Sequence, residues 1–257
     1  MRYSTAHMKS FVESRTHTKK DFEFIKQLDE YFRTGMGSNS DKIANFTKYI
    51  GTQDLRSFLG RYELFQKIIH VPGSIIECGV LHGGGLMAFA HFNSLFEPRN
   101  HTRKIVGFDT FSGFPQLSEG DKKAKSEFAK KSSMAVDSFE DLMKCIKLFE
   151  SNKFISNIKQ LELVRGDAVK TIPKYLKENP HIIVSLLYLD FDLYEPTKAA
   201  LENFVPRMPK GGIIVFDELN AKYWTGETRA LLDSFGINNF ILERFIFDAY
   251  RAYAVLE

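Results

Sequence analysis

The sequence predicts an α/β protein, a seven-stranded, mostly parallel sheet with one antiparallel strand, preceded by a helical region. Three observations predict it. After Val71-Pro72-Gly73, short apolar runs alternate with helical stretches, the pattern of a parallel sheet covered on both faces. Before that point, from Asp21 to His70, apolar residues recur at helical spacing. The chain closes on FILERFIFDAYRAYAVLE, two apolar runs that read as a hairpin and supply the strand of opposite sense. A chain of 257 residues buries one substantial core, so we expect one domain with an appendage, a helical cap or lid at residues 1–70 and the main domain at 71–257.

Taken in order, residues 1–20 are polar and expected to be mobile. Phe24, Ile25, Leu28 and Phe32 form one helical stripe, and Leu55, Phe58, Leu59, Tyr62, Phe65, Ile68 and Ile69 form another. Strands are expected at 74–80, 104–109, 161–165, 182–190 and 211–217, with helices between them. A helix at 226–235 and strands at 240–247 and 251–256 complete the chain. The connection from Gly113 to Ile158 contains DKKAKSEFAKKSS, rich in Lys and Ser. It reads as a solvated loop or lid near the site mouth, or alternatively as an anion-binding segment.

The formal charge of +3, from 35 basic and 32 acidic residues, is too balanced for a nucleic-acid-wrapping surface. Cys78 and Cys145 are far apart and lack metal-ligand spacing, which fits structural thiols in a reducing cytosol. The start has no apolar core of signal-peptide length, and no run of about 18 apolar residues occurs anywhere. The expectation is a soluble, cytoplasmic protein that does not engage membranes.

Ligands of open parallel sheets sit beyond the carboxyl ends of the strands, and each candidate acid falls at such an end. In SIIECGVLHGGGLMAFA the first strand ends near Glu77 and Gly79, and Gly83-Gly84-Gly85 open a helix. Glycines there let a ligand approach backbone N–H groups, and Glu77 can receive a ligand ammonium. Gly83 to Ala88 also fits G-x-G-x-x-A, with Asp109 about 20 residues on, as a dinucleotide site requires. Asp109 ends strand two, where it can accept both hydroxyls of a ribose or cap the next turn. Asp167 follows strand three, as a helix N-cap or an adenine-edge contact.

The fourth and fifth ends are LDFDLYEPTKAAL, with Asp190 and Asp192, and GGIIVFDELN, with Asp217 and Glu218. Four carboxylates so close are tolerable only with a cation or shared protons. All are hard oxygen donors, which favours Mg²⁺, Mn²⁺ or Ca²⁺ over zinc. The competing reading is that Asp192 caps the helix at Tyr194–Phe204 and Asp217 caps a turn. Tyr223 and Trp224 can form an aromatic wall against a sugar face or pack on the N-terminal helices. Arg61, on an apolar-striped helix, can reach the acceptor pocket, as can Tyr194. His82, in the glycine loop, is the one histidine near the expected cofactor.

The segments IIECGVLHGGG, GFDTFSGFP, LDFDLYEPTKAAL and GGIIVFDE, over residues 74 to 219, resemble the macrocin O-methyltransferase family. QDLRSFLGRYELF and YWTGETRAL are similar to its branch acting on nucleotide-linked deoxysugars. The resemblance implies a Rossmann-like methyltransferase sheet, S-adenosylmethionine as methyl donor, Mg²⁺ dependence, a sugar hydroxyl as acceptor and a homo-oligomer. It makes Glu77 and Gly79 contacts of the methionine part and Asp109 the ribose contact, with Gly83, Ser112 and Asp167 also on the cofactor side. Asp192, Asp217 and Glu218 become metal ligands and Asp190 the general base. Many members carry two aspartates where Asp217-Glu218 stands, so Glu218 is a ligand or acts through a water. The other classes kept open are an NAD(P)-dependent oxidoreductase using the Gly83–Ala88 loop and a non-catalytic small-molecule-binding protein.

Overall fold

The computed structural model describes residues 18–115, 117, 118, 121 and 130–257. The polar start and most of the Lys- and Ser-rich connection, including the expected lid, lie outside the described residues. The chain divides into two compact units, with the division between Leu59 and Gly60.

In the first unit, α1 (Lys19–Thr34) and α2 (Asn39–Ala44) each begin with a reciprocal capping box. Asp21 N–H donates to Thr18 Oγ1 and Thr18 N–H returns a bond to Asp21, while Ser38 and Asp41 repeat the exchange. Tyr49 stacks on Tyr31 at 5.3 Å and meets Phe32 edge-on at 5.4 Å. A third helix, α3 (Thr52–Ile68), runs through the division.

The second unit is built on seven strands: β1 (Ser74–Cys78), β2 (Ile105–Asp109), β3 (Leu161–Arg165), β4 (Val184–Leu189), β5 (Ile213–Phe216), β6 (Leu242–Arg244) and β7 (Ala252–Val255). They lie in the order β3-β2-β1-β4-β5-β7-β6, and only β7 runs against the others. The helices are α4 (Gly84–Phe96), α5 (Phe139–Asn152), α6 (Ala168–Glu178), α7 (Tyr194–Phe204) and α8 (Gly226–Ser234).

Strand alternation divides the core in two. Ile75, Ile105, Leu186, Tyr188 and Val215 point to one face, with Leu64, Phe65, Phe89 and Ile146. Ile76, Val106, Leu187, Leu189 and Phe216 point to the other, with Ile172, Leu201, Phe204 and Leu231. This is the expected sheet, with shorter strands. The run at 182–190 yields six paired residues because Ile182 packs into the core ahead of the ladder. The run at 240–247 yields three, because Phe240 ends a 3₁₀ turn and Phe245 turns into the core.

Candidate active site

Strand addition reverses between β1 and β4, and parallel sheets bind ligands beyond the strand ends at such a point. A cleft lies there, lined by Gly79 and Leu81 after β1, Asp109 on β2, Asp167 after β3, and Asp190 and Asp192 after β4. Gly79 has φ +94°, and a Cβ on it would stand 2.0 Å from the Asp190 carbonyl oxygen. Only glycine lets the ends of β1 and β4 pass this closely.

Of the cofactor-side candidates, Gly79, Asp109 and Asp167 line this cleft, while Glu77, Gly83 and Ser112 do not. Asp109 Oδ2 accepts from the N–H groups of Val80 (2.8 Å) and Leu81 (2.9 Å), and Oδ1 from Phe111 (2.7 Å). A carboxylate has about four acceptor sites, so the turn-capping role and one ligand hydroxyl are compatible. Asp167 caps α6 through Val169 N–H at 3.1 Å while also lining the cleft. Gly83 is the left-handed N-cap of α4. Ser112 is exposed, and its neighbours Thr110 and Gly113 form the lining instead.

Behind the cleft runs a buried polar chain, set by strand parity. Glu77, Tyr188 and Asp217 share the face that carries Ile75, Leu186 and Val215. Arg61 Nη2 stands 3.4 Å from Glu77 Oε1, and its guanidinium lies 4.6 Å from the Tyr188 ring centroid. Tyr188 donates its hydroxyl to Asp217 Oδ1 at 2.6 Å and accepts from Arg251 Nε at 2.6 Å. Arg251 Nε is also 2.7 Å from Asp217 Oδ1, and its Nη1 pairs with fully buried Asp248. Gly85 makes room for this chain, since a Cβ there would stand 1.9 Å from Glu77 Oε1.

Burial pushes the Glu77 carboxyl up to about 7, against the opposing pull of Arg61. Asp190 is held well above the usual carboxylate range by burial and then by the Asp217 charge. Glu227, at the start of α8, is likewise raised by burial, although its Oε2 accepts from Glu218 N–H at 3.0 Å. Burial works against the charge on Arg251, but Asp217 and Tyr188 more than offset it and the guanidinium stays charged.

Among the described residues, no three His, Cys, Asp or Glu side chains stand close enough together to hold a metal ion. Asp192, Asp217 and Glu218 come from neighbouring strand ends, yet Asp217 faces Arg251 and Tyr188. Carboxylate oxygens are the right donors for a hard divalent cation, but their spacing here is not that of a closed ligand shell. Buried Arg61 and half-buried Arg251 stand among these carboxyls. The helix-capping reading of Asp192 finds no support: Asp192 has φ +60°, the N-cap of α7 is Leu193, and Tyr194 N–H donates to Asp121 Oδ1 at 2.9 Å.

Of the residues expected on the acceptor side, Trp224 is buried edge-on to Phe114 at 5.7 Å, and Phe114 lines the cleft. Tyr223 is half-buried beside it, and His82 is exposed. The Tyr194 hydroxyl donates to Asp233 on α8 at 2.9 Å, and Tyr194 is not part of the cleft lining. Arg61 faces Glu77 and Tyr188. Sequence reasoning did not single out Tyr188, Arg251, Glu227 or Asp121. Tyr188 shares the parity of Asp190, and Glu227 lies in the noted YWTGETRAL run, so both left a signal. Arg251 and Asp121 reach the site only through the fold.

The chain is similar to several known proteins. The chain is 28% identical over 162 residues to the 8-demethyl-8-(2,3-dimethoxy-alpha-L-rhamnosyl)-tetracenomycin-C 4'-O-methyltransferase of Streptomyces olivaceus, covering 58% of this chain and 53% of that protein. It is 24% identical over 178 residues to the mycinamicin III 3''-O-methyltransferase of Micromonospora griseorubida, covering 67% and 65%. The matches thus span between about half and two thirds of the length of these curated relatives. The crystal structure of a calicheamicin methyltransferase superposes with a TM-score of 0.89 at 32% identity, covering 96% of this chain and 95% of that one. An apo structure described as a TDP-rhamnose 3'-O-methyltransferase of calicheamicin biosynthesis gives 0.82 at 30% identity, covering 96% and 98%. The sequence profile of the macrocin-O-methyltransferase family matches residues 6–243, and the chain belongs to that family.

Proposed function

We propose that this protein transfers the methyl group of S-adenosylmethionine to a sugar hydroxyl, on a nucleotide-linked deoxysugar such as a TDP-rhamnose or on a glycosylated natural product. The observation that carries the reading is the cleft at the β1/β4 reversal, with Glu77 buried behind it and Asp190 on its wall. Glu77 and Gly79 take the methionine part of the donor. Asp109 offers its remaining acceptor site to a ribose hydroxyl, and Asp167 stands at the adenine edge. Phe114 and Trp224 form the wall against the sugar face. Asp190 accepts the proton as the hydroxyl oxygen attacks the sulfonium methyl carbon in line; the C–S bond breaks and the thioether leaves. Its raised proton affinity makes the ionised form a stronger base. Holding the two reactants in line contributes up to about 7–11 kcal/mol in such a site.

Asp192, Asp217 and Glu218 are the residues we propose to supply oxygens to a divalent cation, Mg²⁺ or alternatively Mn²⁺ or Ca²⁺. When bound, such an ion lowers the pKa of a coordinated hydroxyl. The protein is proposed to act as a homo-oligomer on small-molecule substrates.

Thermal unfolding with S-adenosylmethionine, S-adenosylhomocysteine, NAD or NADP, each with and without Mg²⁺, tests the donor. A ligand at 100 times its Kd stabilises the native state by about 2.7 kcal/mol. A rise in Tm with the S-adenosyl ligands alone supports the reading. A rise with NAD or NADP alone returns Gly83–Ala88 to the dinucleotide reading and overturns it.

A further inference from the structure

Trp224 lies on a segment that the start of α8 holds at both ends. Residues 217–225 join β5 to α8 without a strand or helix of their own, and the backbone N–H groups of such a connection need other partners. Two side chains in the first turn of α8 supply them. Glu227 Oε2 accepts from Glu218 N–H at 3.0 Å, and Thr228 Oγ1 accepts from Asn220 N–H at 2.8 Å. Ala221 N–H closes a turn onto the Glu218 carbonyl at 3.2 Å, with Asn220 at φ +65° inside it. The other end of the segment is fixed by contact, because a Cβ on Gly226 would stand 2.3 Å from the Asp192 carbonyl oxygen. Between these anchors Trp224 is buried, edge-on to Phe114 at 5.7 Å. Phe114 lines the cleft and Trp224 does not, so Trp224 acts on the cleft through the Phe114 ring. The Phe114 backbone is itself held, its N–H donating to the Ser133 carbonyl at 3.0 Å and its carbonyl accepting from Ser132 N–H at 2.9 Å.

We propose that Glu227 and Thr228 are positioning residues for acceptor recognition: by holding the segment between β5 and α8 they keep Trp224 against Phe114 and so set the wall that the sugar meets. The inference rests on the reading of Phe114 as the wall on the sugar side. Neither Glu227 nor Thr228 touches the substrate in it. Where the competent arrangement is only partly populated, apparent affinity falls by that fraction. Loosening the segment therefore raises the acceptor KM and leaves kcat and the donor site unchanged, a split that a merely structural role does not produce.

The test compares Thr228→Val and Glu227→Ala, which remove the accepting oxygens, with Thr228→Ser and Glu227→Gln, which keep them. Trp224 is the one tryptophan of the chain, so quenching of its fluorescence by acrylamide reports on the segment directly. Turnover is measured on the nucleotide-linked deoxysugar that the wild type methylates fastest. We expect Thr228→Val and Glu227→Ala to expose Trp224 to the quencher and to raise the acceptor KM about two- to tenfold, the range that one hydrogen bond supports. Their kcat and their affinity for S-adenosylhomocysteine should match the wild type, and Thr228→Ser and Glu227→Gln should restore both KM and quenching. A wild-type acceptor KM in Thr228→Val overturns the inference and leaves the methyl-transfer reading standing. A loss of S-adenosylhomocysteine affinity with the acceptor KM unchanged puts Phe114 on the donor side and also overturns it. A wild type that binds S-adenosylhomocysteine but methylates no sugar removes the reading and the inference with it. Glu227 is buried and Thr228 half-buried, so if Glu227→Ala does not fold, Thr228→Val decides alone.

Discussion

Glu77 sits with one carboxylate oxygen 3.4 Å from Arg61, while its buried Oε2 has no hydrogen-bond partner among the described residues. Its raised pKa, about 7 against 4.5, means the folded protein binds this proton more tightly than the unfolded chain. The associated stability is present below about pH 4.5 and is lost as pH rises through 7, a difference of about 3 kcal/mol. The Tm of the ligand-free wild type should therefore fall more between pH 5 and 8 than that of Glu77→Gln. A ligand ammonium needs the ionised form, so S-adenosylhomocysteine affinity should rise from pH 6 to 8 in the wild type and stay flat in Glu77→Gln, as titration calorimetry will read. Gly85→Ala should cost about 1–3 kcal/mol and weaken the same affinity, because its Cβ would enter the space of Glu77 and Arg61. At this scale the sequence was informative about acids at strand ends, since Glu77, Asp190 and Asp217 each follow an apolar run. Their partners were not legible. Arg61 read as an acceptor-pocket residue from its helix stripe, whereas Arg251 lies 34 positions from Asp217 and meets it only through the β5/β7 register.

Among elements, the β4–α7 corner supplies Asp190, Phe191, Asp192 and Leu193 to the cleft lining. Gly226, at the start of α8, would place a Cβ 2.3 Å from the Asp192 carbonyl oxygen, so α8 presses directly on this corner. Glu227 follows and holds Glu218 N–H, tying α8 to the end of β5. The N-terminus of α7 has no cap of its own, and Asp121 supplies one from 73 residues away. Asp121→Ala should destabilise the protein by about 1 kcal/mol in urea unfolding, the usual value of an N-cap. The type and order of the elements were legible because periods of 2 and 3.6 differ plainly in this chain. Their ends were not: apolar residues such as Ile182 and Phe245 join the core from outside the ladder. The helix α5 lies within the connection that composition alone marked as a long loop.

For the whole molecule, the strand order places a ligand cleft at the β1/β4 reversal, and family membership gives that cleft its proposed chemistry. No described helix is long and apolar enough to cross a membrane. The density of carboxylates at the strand ends is balanced by Arg61, Arg251 and raised proton affinities, which composition conceals because the overall charge is only +3. The central claim is that Asp190 removes the proton of a sugar hydroxyl that receives the methyl group. Its most direct test follows the transfer of labelled methyl from S-adenosylmethionine to a panel of nucleotide-linked deoxysugars by the wild type and Asp190→Asn. The account predicts transfer by the wild type, a loss of at least about 100-fold in kcat for Asp190→Asn, and unchanged affinity for S-adenosylhomocysteine. Near-normal turnover by Asp190→Asn would contradict it.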